Sequence, residues 1–212
     1  MELTARVMTL ARVHDLVRLA DAAAVLTGHE PYWVRAALAE TPWVVVRRAV
    51  ATPGHLAVGV RGTHRHQRHA LEVAHAAAIE VVRPEDLRPA PGGSASDTPA
   101  ITSLRTAMPL LDEFGHPWGP TGSAGFELAS GHRTTTLGSD LDLVVRIHQL
   151  PAAEQIATLA AELRALPAPV DCQLDTDRGA VTLCELARGP QQILLRTLTG
   201  AHLVALDDIV SR

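Results

Sequence analysis

The segment G-S-D-L-D-L-V-V-R, Gly138 to Arg146, sets two aspartates one residue apart at the start of an apolar run. A β-strand sends successive side chains to opposite faces, so Leu141, Leu143 and Val145 form one face, directed at a core. Asp140 and Asp142 share the other, about 7 Å apart along the strand. Two carboxylates on one partly buried face repel each other and lose hydration. A divalent cation relieves both costs, and Mg²⁺ in particular takes one or two carboxylates together with substrate phosphates. Paired aspartates at a strand start also serve as plain turn residues, so the flanking sequence must discriminate.

Upstream lies P-T-G-S-A-G-F-E-L, Pro120 to Leu128, where Gly122-Ser123 follows a candidate strand and opens a candidate helix. A glycine there lets backbone approach an anion, and a helix N-terminus offers unbonded N–H groups and a favourable dipole. An ordinary turn with a capping serine would look the same. Downstream, Asp171 alternates with Val170 and Cys172 in another candidate strand. Ser123 and Asp140 are 17 positions apart, Asp142 and Asp171 are 29 apart, and a helical segment, Pro151 to Leu166, fills the second interval. In this reading two aspartates ligate Mg²⁺ on a triphosphate, and the third carboxylate completes the metal site or takes the proton of an attacking hydroxyl. Gly122 and Ser123 hold the leaving pyrophosphate. Asp175, four residues beyond Asp171 in a turn-like D-T-D-R-G, competes for the third role.

The rest of the second half reads as a helix at Thr102 to Glu113, a short strand near His116 to Thr121 and a short helix that Gly131 can end. Ile156, Leu159, Leu163 and Leu166 give the 151–166 segment an apolar helical face. Residues 169–183 suggest two strands around a turn, and 192–206 a strand pair or a helix. Residues 88–100, R-P-A-P-G-G-S-A-S-D-T-P-A, read as a linker, with domains at 1–90 and 101–212 and the linker proper at 91–100. In the first half, 11–26 and 67–77 show helical spacing, 31–40 a short helix, 41–50 and 55–62 two strands around Pro53-Gly54, and 78–84 a short strand. The fold class expected is α+β.

All 19 basic side chains are arginine, since the chain has no lysine. Walker-type phosphate loops, protein kinases and Schiff-base enzymes are therefore excluded. Any phosphate must be held by arginine, backbone N–H groups or metal. Residues 1–90 carry 11 Arg against 9 acidic residues, and 91–212 carry 8 against 14. R-G-T-H-R-H-Q-R-H, Arg61 to His69, concentrates this charge. It is a solvated loop or an anion site, with Arg61, Arg65 and Arg68 on one face if the segment is helical. Zinc on His64, His66 and His69 is disfavoured by the surrounding arginines. Aromatic content of 3% and a net charge of −4 argue against nucleic acid. Glu127 is expected to pair with an arginine such as Arg133. Two cysteines without a pairing motif, no apolar run of about 18 residues and no signal-peptide pattern at the N-terminus lead to the expectation of a cytoplasmic protein without membrane association.

The order Gly-Ser, D-x-D, lone Asp resembles the nucleotidyltransferase superfamily. The wording narrows it further. W-G-P-T-G-S-A-G-F-E-L-A-S-G (118–131), G-S-D-L-D-L-V-V (138–145) and P-V-D-C-Q-L-D-T-D-R-G-A-V-T-L-C-E-L-A-R-G (169–189) resemble the malonate decarboxylase holo-acyl-carrier-protein synthases, the phosphoribosyl-dephospho-CoA transferases. L-V-R-L (16–19), P-W-V-V-V-R-R (42–48) and G-V-R-G-T-H-R-H-Q-R-H-A (59–70) look like that family's N-terminal region, so the resemblance spans nearly the whole chain. It implies a nucleotidyltransferase-like mixed sheet with flanking helices. It implies transfer of the phosphoribosyl-dephospho-CoA group from 2′-(5″-triphosphoribosyl)-3′-dephospho-CoA to a serine of the malonate decarboxylase acyl carrier protein, with release of diphosphate. It also implies Asp140 and Asp142 as the metal-binding pair, with Asp171 a less direct assignment. Transfer to a citrate lyase carrier protein or a small molecule, and a non-catalytic carrier-docking role, are the competing readings.

Overall fold

The computed structural model describes residues 11–64, 66–89 and 97–209. They fall into two compact units that divide between Arg83 and Pro84. Each unit carries its own sheet and core, and the chain is a mixed α+β protein.

The first unit contains β1 (Leu16–Leu19), α1 (Tyr32–Glu40), β2 (Trp43–Val46), β3 (His55–Arg61), β4 (Arg68–Ala74) and β5 (Ala78–Val82). Its antiparallel sheet runs β4-β3-β2-β1-β5. Val34 and Leu38, one turn apart on α1, enter a core with Val17, Val44, Val58, Val60 and Val73. Two expectations of helix fail here. In 11–26 the ordered element is the strand β1, flanked on both sides by partner strands, and an interior strand's apolar run mimics helical spacing. The segment after it turns on Asp21, whose Oδ1 accepts from the backbone N–H of Ala23 (2.9 Å) and Ala24 (3.1 Å). In 67–77, β4 pairs along its whole length with β3, from Arg61 opposite Arg68 to His55 opposite Ala74.

The second unit contains α2 (Pro99–Phe114), β6 (Trp118–Pro120), α3 (Gly122–Ser130), β7 (Leu141–Arg146), α4 (Ala153–Arg164), β8 (Val170–Thr176), β9 (Gly179–Thr182), α5 (Leu183–Leu186), β10 (Gln192–Thr197) and β11 (Gly200–Ala205). The six strands run β11-β10-β9-β8-β7-β6. Only β7 and β8 are parallel, because α4 carries the chain back across the sheet between them. The 192–206 ambiguity resolves to a β10–β11 hairpin. Leu141, Leu143, Val145, Cys172 and Leu174 pack in one core with Ile101, Leu104 and Leu111 of α2 and Ile156, Leu159 and Leu163 of α4.

The division lies earlier than the expected linker. Pro84 and Leu87 are buried, and the Arg88 guanidinium sits 4.0 Å above the Trp118 ring. A Cβ on Gly119 would overlap the Pro84 carbonyl, so glycine is what lets this segment lie against β6. Residues 84–88 thus belong with the second unit. Helix α2 starts at Pro99, inside the stretch read as linker, and residues 90–96 of that stretch lie outside the described residues.

Candidate active site

The face of β7 opposite the core carries Asp142, Val144 and Arg146, and the same face of β8 carries Asp171, Gln173 and Asp175. The parallel register sets Asp142 directly opposite Asp171, Val144 opposite Gln173 and Arg146 opposite Asp175. Neighbouring strands lie about 4.8 Å apart, so opposed side chains on one face are adjacent. Asp142 is half-buried and Asp171 exposed. Asp140, half-buried, precedes the strand by one residue and keeps the parity of Asp142.

The Gly-Ser turn meets this pair from the other side. The Thr121 N–H donates to the Asp142 carbonyl at 2.8 Å, which fixes the end of β6 against β7. Gly122 begins α3 with φ +56°, a left-handed conformation that favours glycine. A Cβ there would overlap Oδ2 of Asp142. The first turn of α3, whose N–H groups lack partners within the helix, is therefore packed against the Asp142 carboxylate. Ser123 is buried, and its carbonyl accepts from the Thr134 hydroxyl at 2.9 Å.

Glu127, one helical turn further along α3, is 4% exposed. Its Oε2 accepts from the Thr134 N–H (3.0 Å), the Thr135 N–H (2.8 Å) and the Thr135 hydroxyl (2.7 Å), and the Thr98 hydroxyl donates to Thr135 Oγ1 at 3.1 Å. The expected partner was Arg133, but arginine is exposed at that position and the threonines take the carboxylate. Glu127 ties the loop that ends in Asp140 to the helix that begins at Gly122. The T-T-T run, Thr134 to Thr136, offered a sequence signal, since threonines supply hydroxyl donors without charge.

Asp175 is engaged four residues beyond Asp171. Nη1 of the buried Arg146 donates to Asp175 Oδ2, and Arg146 Nε donates to Glu85 Oε1 at 3.2 Å. Sequence reasoning passed over Arg146, although an arginine ending an otherwise apolar strand is a signal for a buried ion pair. Burial pushes the Cys172 thiol pKa up, with the Asp171 charge adding to it, so Cys172 is an inert core residue.

In the first unit, Arg61 and Arg68 face each other across the β3–β4 hairpin. The helix-face arrangement of Arg61, Arg65 and Arg68 is thus replaced by a cross-strand pair, and Arg65 lies outside the described residues. Gln67 closes the loop by accepting from the His64 N–H at 3.0 Å. His64 stacks on His66, while His69 meets Trp33 edge-on. Among the described residues no group of three or more His, Cys, Asp or Glu side chains is arranged to hold a metal ion. The donors present suit a site completed by ligand oxygens: two adjacent carboxylates, with a glycine leaving space beside one of them.

These features define a two-unit α+β protein with a pair of opposed carboxylates beside a Gly-Ser helix start. The description "Phosphoribosyl-dephospho-CoA transferase MdcG C-terminal domain" matches residues 87–207, and its N-terminal counterpart matches 12–84. The chain belongs to this family. It is 41% identical over 175 residues to a phosphoribosyl-dephospho-CoA transferase of Pseudomonas syringae pv. tomato, covering 82% of this chain and 83% of that protein. The like-named protein of Azotobacter vinelandii is 41% identical over 208 residues, 92% of this chain and 93% of its own. That of Pseudomonas aeruginosa is 40% identical over 183 residues, 86% and 87% respectively. No solved structure matches the chain. Among the described residues no helix is long and apolar enough to cross a membrane.

Proposed function

We propose that the chain transfers the phosphoribosyl-dephospho-CoA group from 2′-(5″-triphosphoribosyl)-3′-dephospho-CoA to a serine of the malonate decarboxylase acyl carrier protein, releasing diphosphate, as a nucleotidyltransferase of the cytoplasm. The family name supports the transferred group. The observation that carries the chemistry is the opposition of Asp142 and Asp171, with Gly122 packed on Asp142. Asp140 and Asp142 would hold Mg²⁺ together with substrate oxygens, leaving Asp171, opposite Asp142, as the third carboxylate. Bound there, the ion would neutralise triphosphate oxygens and polarise the reacting phosphorus.

The chain's own residues do the rest. The first turn of α3, at Gly122 and Ser123, presents N–H groups to the departing diphosphate oxygens. Asp171, the exposed member of the pair, takes the acceptor serine's proton in this reading. The serine oxygen forms the new P–O bond as the bond to the diphosphate bridging oxygen breaks. Asp175 is unsuited to that proton, because Arg146 holds its carboxylate. Arg61 and Arg68, with Arg65 between them in sequence, bind phosphates of the dephospho-CoA moiety as charge-assisted donors.

Mass spectrometry of the carrier subunit after incubation with enzyme, Mg²⁺ and the triphosphate precursor tests this. The whole prosthetic group should add to the carrier, and Asp142→Ala should abolish the gain while leaving the thermal transition in place. Labelling retained by Asp142→Ala would sink the mechanism. A citrate lyase carrier offered in parallel reports the acceptor.

A further inference from the structure

The face that carries Asp142 and Asp171 continues across the sheet of the second unit. Directly opposed residues on neighbouring strands share a face. Asp175 of β8 stands opposite Ala180 of β9, Ala180 opposite Arg196 of β10, and Arg196 opposite Ala201 of β11. Arg196 therefore projects from the same side of the sheet as the two aspartates. Four residues along β8, at about 3.3 Å each, and two strand spacings of about 4.8 Å set its Cα about 16 Å from that of Asp171.

Arg196 is half-buried, and its Nη1 is closed off from solvent without a hydrogen-bond partner. Among the described residues it makes no ion pair. Its cross-strand neighbours are alanines, which offer no side-chain acceptor, and the carboxylate next in the row, Asp175, is held by Arg146. A charged donor shut off without an acceptor is costly and rare, so its retention calls for a ligand that supplies the acceptor. Gln173 shares the face, two residues beyond Asp171 and opposite Thr182. It is half-buried, and its amide makes no hydrogen bond among the described residues.

Direction narrows what that ligand presents. The start of α3 follows β6 and packs on Asp142 from one side, whereas β10 lies beyond β8 and β9 on the other. A diphosphate that leaves toward Gly122 thus departs away from Arg196. In the donor of the proposed reaction, two ribose rings separate the triphosphate from a second anionic group, the diphosphate of the dephospho-CoA moiety. With its triphosphate at the aspartates, such a donor extends past Gln173 and brings that second group toward β10.

We propose that this sheet face is the bed of the donor, with Arg196 binding the diphosphate of the dephospho-CoA moiety and Gln173 a ribose hydroxyl on the way. The inference rests on the proposed transfer reading. It adds to Arg61 and Arg68 an arginine fixed by the second unit's own sheet, whose planar guanidinium can meet two phosphate oxygens at once.

Calorimetry on the full chain, with dephospho-CoA and with inorganic triphosphate plus Mg²⁺ as separate probes, distinguishes the two ends of the donor. Arg196→Met should weaken dephospho-CoA about thirtyfold and leave the triphosphate within about twofold. Arg196→Lys should lose less, since it keeps the charge without the fork, and Gln173→Met should cost about fivefold. In carrier labelling the KM for the triphosphate precursor should rise in step. The thermal transition of Arg196→Met should be no lower than that of wild type, because no intramolecular partner is lost. Dephospho-CoA bound equally by wild type and Arg196→Met overturns the assignment, and labelling by wild type then leaves the transfer reading standing. Triphosphate weakened in place of dephospho-CoA overturns it too, by moving Arg196 to the leaving group. Both probes weakened alike with a lowered thermal transition assign Arg196 a structural role instead. Wild-type enzyme that labels no carrier, yet loses dephospho-CoA on Arg196→Met, overturns the transfer reading and keeps the diphosphate site.

Discussion

Gly122→Ala isolates the contact on which the site depends. At φ +56° an L-residue pays roughly 1–2 kcal/mol that glycine does not. The added methyl would also overlap Oδ2 of Asp142, and that oxygen must retreat by more than about 1 Å to restore ordinary contact. A misplacement of about 1 Å at a reacting centre costs on the order of 100-fold in rate, or about 2.7 kcal/mol of barrier. Gly131→Ala supplies the comparison. Gly131 has φ +72° and ends the same helix, but nothing lies within 4 Å of its missing Cβ. Gly131→Ala should therefore lose about 1–2 kcal/mol in denaturant titrations followed by circular dichroism, and Gly122→Ala more, because the overlap adds to the φ cost. Only Gly122→Ala should lose about 100-fold or more in carrier labelling. If Gly122→Ala labels the carrier within about threefold of wild type, or Gly131→Ala loses activity as severely, the packing of α3 on Asp142 does not control the chemistry.

Arg146→Ala leaves the largely buried carboxylates of Asp175 and Glu85 without this cation and should destabilise the second unit by about 3 kcal/mol, read by denaturant titration. Replacing all three partners, Arg146→Met with Asp175→Leu and Glu85→Leu, should recover much of that loss, and little recovery would show that the cation does more than neutralise its partners. In the first unit, Glu30 accepts from the Thr27 N–H and hydroxyl and from the Gly28 N–H, which holds its pKa at about 2 against an ordinary 4.5. A depressed carboxylate contributes stability above its unfolded pKa and loses it as pH falls through the folded one. The Glu30 contribution should thus be complete near pH 5 and fade toward pH 2, and it is small because these hydrogen bonds lie at the solvent-exposed surface. Carboxyl-carbon NMR titration should show Thr27→Ala raising the Glu30 pKa, while an unchanged value would assign the whole effect to the backbone donors.

Much of the second unit was legible because its signals are local. Alternation in Leu141 to Val145 gave the strand and its two faces, Ile156, Leu159 and Leu163 gave the α4 face, and Gly131 gave the α3 terminus. The failures have physical causes as well. Strand β1 is interior to its sheet, so its apolar residues do not alternate cleanly and pass for a helix. Segment 67–77 becomes a strand because β3 pairs with it, a choice made outside the segment. The Arg61–Arg68 pair follows from that hairpin.

The candidate site divides along the same line. Period-two geometry is a property of a short run of backbone, so the sequence alone determined that Asp142 faces away from Leu141 and Leu143 and that Gly122-Ser123 opens a helix. Which carboxylate stands beside Asp142 depends on how β7 and β8 align after a 29-residue excursion through α4, and only tertiary packing decided for Asp171. The same packing gave Asp175 to Arg146, placed Gly122 against Oδ2 of Asp142 and fastened the loop ending in Asp140 to Ser123. Those contacts join residues distant in the chain, and their geometry is set by the register and close packing of the whole sheet, which no local pattern encodes.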